Sequence, residues 1–254
     1  NAGIIVPPVL WEEIANIIPK LTNIDQNGRI LQSAVSLGSY GNIGAAKDII
    51  MTIVAQLGQI PVRRVLSSGE EQLAVLANSP ISTDDTVRPL TSSLRFFTQF
   101  ADPNKNTYTW SPLLPQAQDQ FLAEKLAMYI GYSDEEALMH AKNPRIDFGV
   151  KFLPQTKGRV INVTGMKLYG VATLNRSQNK YTAATAQALL SGAQYGPVVA
   201  SMAGGFSPLR YALDQATTLN PEYRKSILVA RGWYDINQTN SNQIIQNVIN
   251  DILS

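Results

Sequence analysis

Cysteine is absent from this sequence of 254 residues. Its absence excludes disulfide bonds, thiolate nucleophiles and cysteine-ligated zinc or iron–sulfur sites. Histidine is nearly absent as well, because His140 is the only one. A run of about 18 apolar residues, which could cross a bilayer as a helix, does not occur either. With 254 residues, the chain is long enough to bury a sizeable core in one or two domains.

Charged residues are scarce too, at 16% of the chain, and the formal net charge is only +2. A strongly basic face is what binding to nucleic acid or to an anionic membrane requires. The composition indicates neither kind of partner, and we expect no nucleic acid among the ligands.

Signatures of catalysis and of nucleotide binding are also missing. The sequence contains no Gly-x-Ser-x-Gly elbow and no Walker loop. Neighbouring acids occur at positions 12–13, 84–85 and 135–136. Adjacent residues on a helix point in different directions, so we interpret these pairs as solvated faces and not as the convergent carboxylates of a glycosidase. We interpret His140 as a surface or packed residue, and we expect no cofactor, no metal site and no catalytic residue.

The stretch 121–132, FLAEKLAMYIGY, combines two patterns. Its start has helical spacing, whereas 126–130 is a run of five apolar residues, which suits a strand covered on both faces. We therefore predict a central, doubly buried strand that ends at Gly131 and presents Tyr132 and Ser133 beyond its carboxyl end. Ligands of open α/β sheets bind at that end of the strands.

Helical and strand patterns alternate along much of the chain, which predicts an α/β fold. Apolar spacing predicts helices over 11–21, 43–57, 88–101, 134–142, 179–190, 222–235 and 241–253. Strands are predicted over 30–37, 148–153 and 167–174. The short, broken pattern of 59–87 predicts loops and brief helices.

Aromatic side chains in predicted loops or strands are candidate ligand contacts: Tyr40, Trp110, Tyr132 and Tyr169. The apolar C–H faces of a sugar ring stack on aromatic rings, while its hydroxyl groups need polar partners. The polar candidates beside these rings are Ser39, Asn42 and Ser133. A cleft lined in this way binds a ligand without reacting with it. Trp11 and Trp233 lie on predicted helical faces, so we interpret them as structural.

The order of short motifs along the chain resembles one protein family. YTW at 108–110 precedes a proline-containing gap and then F-x-A-x-K-x-A-M-x-x-G-Y-S at 121–133. The start PPVLWEEIANIIPKLT, the segment KLYGVATLNRSQNKYTAATAQALL and the final SPLR and ARGWYD fall in the same order. This order is similar to the second half of the extracellular solute-binding proteins that feed ABC importers, of the maltodextrin-binding type.

The resemblance implies a type II periplasmic-binding-protein-like fold, with two lobes joined by a hinge and a ligand between them. It implies capture of a carbohydrate and its delivery to the permease subunits of an ABC importer, with no chemistry performed. Tyr132 stands where the family presents a stacking aromatic residue after the glycine, Gly131 here. The alternatives are a binding protein for another solute, such as a peptide or a polyamine, and a carbohydrate-acting hydrolase.

The resemblance also implies how the chain is divided. Residues 1–152 would form an α/β segment of the C-terminal lobe, 153–215 a returning segment of the N-terminal lobe, and 216–254 closing helices on the C-terminal lobe. The rest of the N-terminal lobe, or a second chain, would then cover the open edges of 153–215. The implied place is the periplasmic or extracellular face of a bacterial membrane, with a lipid anchor at an N-terminus outside this sequence.

Overall fold

The computed structural model describes residues 3–67, 69–79, 88–158, 161–216 and 219–254. The helices are α1 (Trp11–Leu21), α2 (Ala46–Gln56), α3 (Pro89–Thr98), α4 (Ala117–Leu122), α5 (Glu135–Lys142), α6 (Lys180–Ser191), α7 (Gly196–Met202), α8 (Arg210–Gln215), α9 (Pro221–Leu228) and α10 (Gln238–Leu253). The strands are β1 (Asn23–Ile24), β2 (Ile30–Val35), β3 (Val62–Ser67), β4 (Glu70–Val75), β5 (Leu126–Met128), β6 (Thr164–Gly165) and β7 (Ala230–Arg231).

A three-stranded sheet organises the first part of the chain. β2 lies in its middle, with β1 paired antiparallel on one side and β5 paired parallel on the other. A parallel pair needs a long crossover, and the chain between β2 and β5 supplies it through α2, α3 and α4. The carboxyl ends of β2 and β5 therefore lie at the same edge of the sheet.

The core is built from helices packed on this sheet. Trp11, Ile14 and Ile18 recur at helical spacing and are the buried residues of α1, which packs on β2. In α2 nine of the eleven residues are buried, which fits a helix covered on nearly all sides. The predicted helices over 11–21, 43–57, 88–101, 134–142 and 179–190 are confirmed, with a 3₁₀ turn at Gln99–Ala101 closing the third of them.

The prediction of a central, doubly buried strand at 126–130 is wrong. β5 is three residues long and has β2 as its partner on one side, so it is an edge strand in the described sheet. Leu126 is buried, whereas Ala127 is exposed and Met128 half-buried. A run of apolar residues cannot by itself report a second neighbouring strand, because that neighbour comes from elsewhere in the chain.

The interpretation of 59–87 as loops and brief helices is also wrong for its first half. β3 and β4 form an antiparallel hairpin in continuous register from the pair Val62 and Val75 to the pair Ser67 and Glu70. Gly69 has a φ of +83°, which suits the tight turn between them. The acids predicted as a solvated pair at 84–85 lie outside the described residues.

The later part of the chain departs most from the predicted strands. Residues 148–153 and 167–174 form neither helix nor strand, so both predicted strands are wrong. The described strand of this region is β6, two residues long, which pairs in parallel with β7. Of the predicted closing helices, 222–235 is shorter than expected because α9 ends at Leu228 before β7, whereas 241–253 lies within α10.

Candidate functional site

A cavity of about 1230 Å³ lies between the first part of the chain and residues 164–210. One wall carries residues 126–136, at the carboxyl end of β5 and the start of α5. The opposite wall carries residues 164–171 and 205–208. This volume is somewhat above the roughly 300–1,000 Å³ typical of small-molecule clefts, so the cavity has room for a small organic ligand. The site therefore stands at the sheet edge that the sequence indicated.

Gly131 shapes the first wall by letting two side chains approach its backbone. A Cβ atom at this position would collide with the ring of Tyr129 and with the carboxylate of Glu135. The Tyr129 hydroxyl donates a hydrogen bond of 2.5 Å to Glu135 Oε2. A larger residue at this position would therefore displace Tyr129 and Glu135 from this arrangement, in which Tyr132 and Ser133 line the cavity.

Tyr132 is the half-buried aromatic residue at the centre of this wall. Its backbone N–H donates to Glu135 Oε1 at 3.4 Å. Burial, followed by the negative charge of Asp48 and of the acids at the start of α5, raises the pKa of the Tyr132 hydroxyl well above its ordinary value. The side chain therefore remains a neutral phenol at physiological pH.

Lys167 reaches Tyr132 from the opposite wall. Its ammonium nitrogen lies 3.8 Å from the centroid of the Tyr132 ring, which is a close cation–π contact. Lys167 is an exposed residue on the irregular segment that follows β6. The contact therefore joins two parts of the cavity lining directly over an aromatic face.

The neighbouring acids Glu135 and Glu136 do not lie on a solvated face. Each is half-buried, and each accepts a tyrosine hydroxyl: Tyr129 on Glu135, and Tyr223 on Glu136 at 2.6 Å. Burial and these carboxylates raise the pKa of both tyrosines. The two carboxylates thus hold tyrosine side chains in place.

The charged residues that line the cavity are mixed. The acids are Asp48, Glu124, Asp134, Glu135, Glu136 and Asp147, and the bases are Arg145, Lys151, Lys167 and Arg210. Within the described ranges no group of three potential metal ligands comes together. The sole histidine, His140, stacks on Phe148 with ring centroids 5.0 Å apart, which agrees with its interpretation as a packed residue.

Trp110, Ser39 and Asn42 form a buried cluster outside the cavity. Trp110 has no exposed surface, and its indole nitrogen donates to Ser39 Oγ and to Asn42 Oδ1, both at 3.0 Å. The Ser39 hydroxyl also bonds Asn42 Oδ1, while Asn42 Nδ2 donates to the carbonyls of Ser111 and Leu114. The expectation that these three residues contact a ligand is therefore corrected, because their polar atoms bond one another within the core.

Tyr40 and Tyr169 have different surroundings. Tyr40 is half-buried and does not line the cavity; burial, and then the charges of Asp48 and Asp235, raises its pKa. Tyr169 does line the cavity, with 69% of its surface exposed. Of the eight predicted residues, four are thus at the cavity: Gly131, Tyr132, Ser133 and Tyr169.

Two residues at the site were missed by the sequence reasoning. Asp48 stands in the first turn of α2, where an acid is expected for helix stability alone. Lys167 falls in a segment that was predicted to be a strand. Neither position carries a sequence signal for a site, because each acquires its role from contact with Tyr132, which is far away in sequence.

Trp233 and Lys47 form a second polar cluster near Tyr40. Lys47 Nζ lies 2.7 Å from Asp235 Oδ2 and 5.5 Å from the centroid of the Trp233 ring. Ser241 donates to the same carboxylate. This cluster attaches the chain after β7 to α2, so the structural interpretation of Trp233 agrees with its half-buried position. Trp11 is likewise structural, being 3% exposed in the core.

Comparison with known proteins gives matches among solved structures. No protein-family model matches the sequence, and no curated protein does. The maltose/maltodextrin-binding domain of Bdellovibrio bacteriovorus bound to maltotriose matches with a TM-score of 0.62 and 14% identity, over 98% of this chain and 62% of that one. An ABC transporter solute-binding protein from Thermotoga lettingae bound with alpha-D-tagatose matches with a TM-score of 0.60 and 16% identity, over 98% and 61%.

A third structure, CpMnBP1 with mannobiose bound, matches with a TM-score of 0.60 and 20% identity, over 98% of this chain and 61% of that one. The three likenesses confirm the predicted fold: the chain has the type II periplasmic-binding-protein-like architecture, and it covers part of the two lobes. It spans about three fifths of the length of each of these proteins. In the part of the chain that the structure describes, helices long and apolar enough to cross a membrane are not found.

Proposed function

We propose that this chain is the substrate-binding component of an ABC importer, and that it captures a sugar or oligosaccharide in the cavity beside Tyr132. The observation that carries the proposal is the position of Tyr132 and Ser133, at the carboxyl end of β5 and on the wall of a cavity of about 1230 Å³. The fold supports the proposal, since the three similar structures hold maltotriose, tagatose and mannobiose. Permease subunits of the importer are the proposed partners, at the periplasmic or extracellular face of the cell.

Tyr132 and Tyr169 are the proposed stacking residues, and Ser133 and Asp48 the proposed partners of sugar hydroxyls. A neutral phenol offers its apolar face to a sugar ring, and a half-buried carboxylate accepts hydroxyl hydrogen bonds. Gly131 is proposed to contribute by having no side chain, which lets Tyr129 and Glu135 pack beside Tyr132. No residue of the site is proposed to be catalytic.

A further polypeptide is the proposed partner of residues 161–216. This range carries exposed apolar side chains, among them Leu168 at 73%, Tyr181 at 87% and Met202 at 84%. Exposed apolar side chains in such number are typical of a surface that a partner covers. The similar structures are longer than this chain by an amount typical of an additional domain, so the remainder of an N-terminal lobe is the proposed covering element.

The charged residues of the cavity make polyamines a second candidate ligand class. Six acids against four bases line it, which suits a polycation such as spermidine. The first experiment is therefore a calorimetric titration of the chain with maltotriose, mannobiose, tagatose and spermidine. Heat from a sugar supports the proposal. Heat from spermidine alone would show that the cavity binds polyamines, and the absence of heat from every ligand would contradict both functions.

The second experiment tests the site itself. Tyr132→Ala should weaken sugar binding by about 1–3 kcal/mol, the usual loss at an aromatic contact. Tyr132→Phe keeps the ring and should retain most of the affinity. Tyr234→Ala is the matched control, because Tyr234 is 59% exposed and lies outside the cavity. Equal affinities for Tyr132→Ala and the unmodified chain would show that the ligand binds elsewhere.

A further inference from the structure

The contact between Lys167 and Tyr132 brings together two segments that are distant in sequence. Tyr132 belongs to the wall that follows β5, and Lys167 to the irregular segment after β6. The ammonium nitrogen lies over the ring, 3.8 Å from its centroid. Since both residues line the cavity, the cation lies inside the space that a ligand would fill.

Lys167 is not held in this position by an ion pair. Ion pairs among the described residues involve Lys47, Arg64, Arg224 and Lys225, and none of them includes Lys167. The ammonium group of Lys167 is instead attracted by the negative electrostatic potential at the face of the Tyr132 ring. Acids close to the ring strengthen that attraction, since Asp48, Asp134 and Glu135 all act electrostatically on Tyr132.

A ligand that stacks on Tyr132 needs ring surface that the protein does not already cover. Tyr132 is half-buried and packs against the hydrophobic core, so much of its ring surface is already covered by protein. A ring stacked on the remaining surface and an ammonium group 3.8 Å above it cannot occupy the same space. One of them has to leave before the other can bind.

We infer that Lys167 is an intramolecular competitor for the stacking face of Tyr132, so that it covers the face in the empty protein and is displaced when a sugar binds. The inference rests on the proposed function and adds to it a residue that sets affinity. Displacement breaks the cation–π contact, whose strength at an exposed site corresponds to about a two- to fivefold change in affinity. The lysine therefore lowers affinity for a neutral sugar without contacting the sugar in the bound state.

The test compares Lys167→Ala with Lys105→Ala. Lys105 is also exposed, but it lies outside the cavity lining, and among the described residues it has no aromatic ring beneath its ammonium group. In calorimetric titrations with maltotriose, mannobiose and tagatose, Lys167→Ala should bind a sugar about two- to fivefold more tightly than the unmodified chain does. Lys105→Ala should leave the affinity unchanged. Unchanged or weaker binding in Lys167→Ala would overturn the inference.

A ligand-free measurement separates this inference from the proposed function. In the NMR spectrum the Hε protons of Lys167 should be shifted upfield by the Tyr132 ring, and Tyr132→Leu or a saturating sugar should remove the shift. An unshifted Lys167 signal in the empty protein, or a shift that persists with sugar bound, would refute displacement. If the shift is present but no sugar binds either protein, the proposed function fails and the competitor role fails with it.

Discussion

Trp110 and Tyr132 show how similar aromatic residues acquire opposite roles. Both were predicted to contact a ligand, yet Trp110 is fully buried and Tyr132 lines the cavity. An indole can be buried without cost to its N–H group when acceptors are available, and Ser39 and Asn42 supply two. The burial of Trp110 thus supports the loop after β2 instead of a ligand.

Replacing Trp110 by Phe tests this structural role. The variant keeps a large ring but removes the donor that serves Ser39 and Asn42. We expect the free energy of unfolding to fall by about 1–3 kcal/mol, because buried acceptors lose a partner. Urea denaturation measures this change. Sugar affinity of the folded variant should be unchanged, since Trp110 does not line the cavity.

The control for this variant is Trp233→Phe. Trp233 is half-buried, and its indole nitrogen makes no hydrogen bond to the described residues. Its replacement should change the free energy of unfolding by no more than about 0.5 kcal/mol. A weaker sugar affinity in Trp110→Phe would show that Trp110 contributes to ligand binding after all.

At the scale of elements, α2 connects the first part of the chain to the returning segment. Its last residue, Gln56, is 2% exposed. Gln56 Oε1 accepts from Trp11 Nε1 at 2.7 Å and from Thr156 Oγ1 at 3.2 Å. Gln56 Nε2 donates to the carbonyls of Pro154 at 3.0 Å and Val163 at 2.9 Å. One amide thus joins α1, α2 and the chain before β6.

Gln56→Leu should disrupt this junction. The leucine has a similar size but leaves a buried indole N–H and two carbonyls unpaired, so we expect a loss of about 2–4 kcal/mol in the free energy of unfolding. The matched control is Gln116→Leu, because Gln116 is exposed and its side chain makes one hydrogen bond, to the carbonyl of Gly41. Urea denaturation of the two variants should separate them. Similar losses in both would mean that the junction adds little stability.

At the scale of the whole molecule, the two parts of the chain differ in how well they are covered. α2 and α6 are of nearly equal length, with eleven and twelve residues. Nine residues of α2 are buried, whereas α6 has none. Helices of similar size thus have opposite surroundings within one chain, and the apolar side chains of α6, among them Leu190 at 41% exposure, have no complete cover.

Hydrogen exchange should register this difference directly. Amides of α6 should exchange at least roughly a hundredfold faster than those of α2. The reason is that local opening of an uncovered helix exposes little additional apolar surface. Mass spectrometry of the exchanged chain gives both rates in one experiment, with α2 as the internal control. Equal protection of the two helices would show that 161–216 is already covered in solution, for example by a second copy of this chain. That result would argue against the N-terminal lobe as the proposed covering element.

The sequence by itself determined most of the helices and the general fold. Helix hydrogen bonds and amphipathic spacing are local, so the predicted ranges 11–21, 43–57 and 179–190 correspond to α1, α2 and α6. The same local logic placed Gly131 and Tyr132 after a strand. The order of motifs then led to the type II binding-protein fold, which the similar structures confirm.

Only the tertiary structure decided which segments pair and which side chains are covered. A strand needs a partner from elsewhere in the chain, so the predicted strand 167–174 remained unpaired while 62–67 and 70–75 formed a hairpin that the residues did not suggest. Burial of Trp110 and contact of Lys167 with Tyr132 likewise depend on distant segments. Periodicity along a chain records how a residue relates to its neighbours in sequence, whereas a binding site is made by neighbours in space.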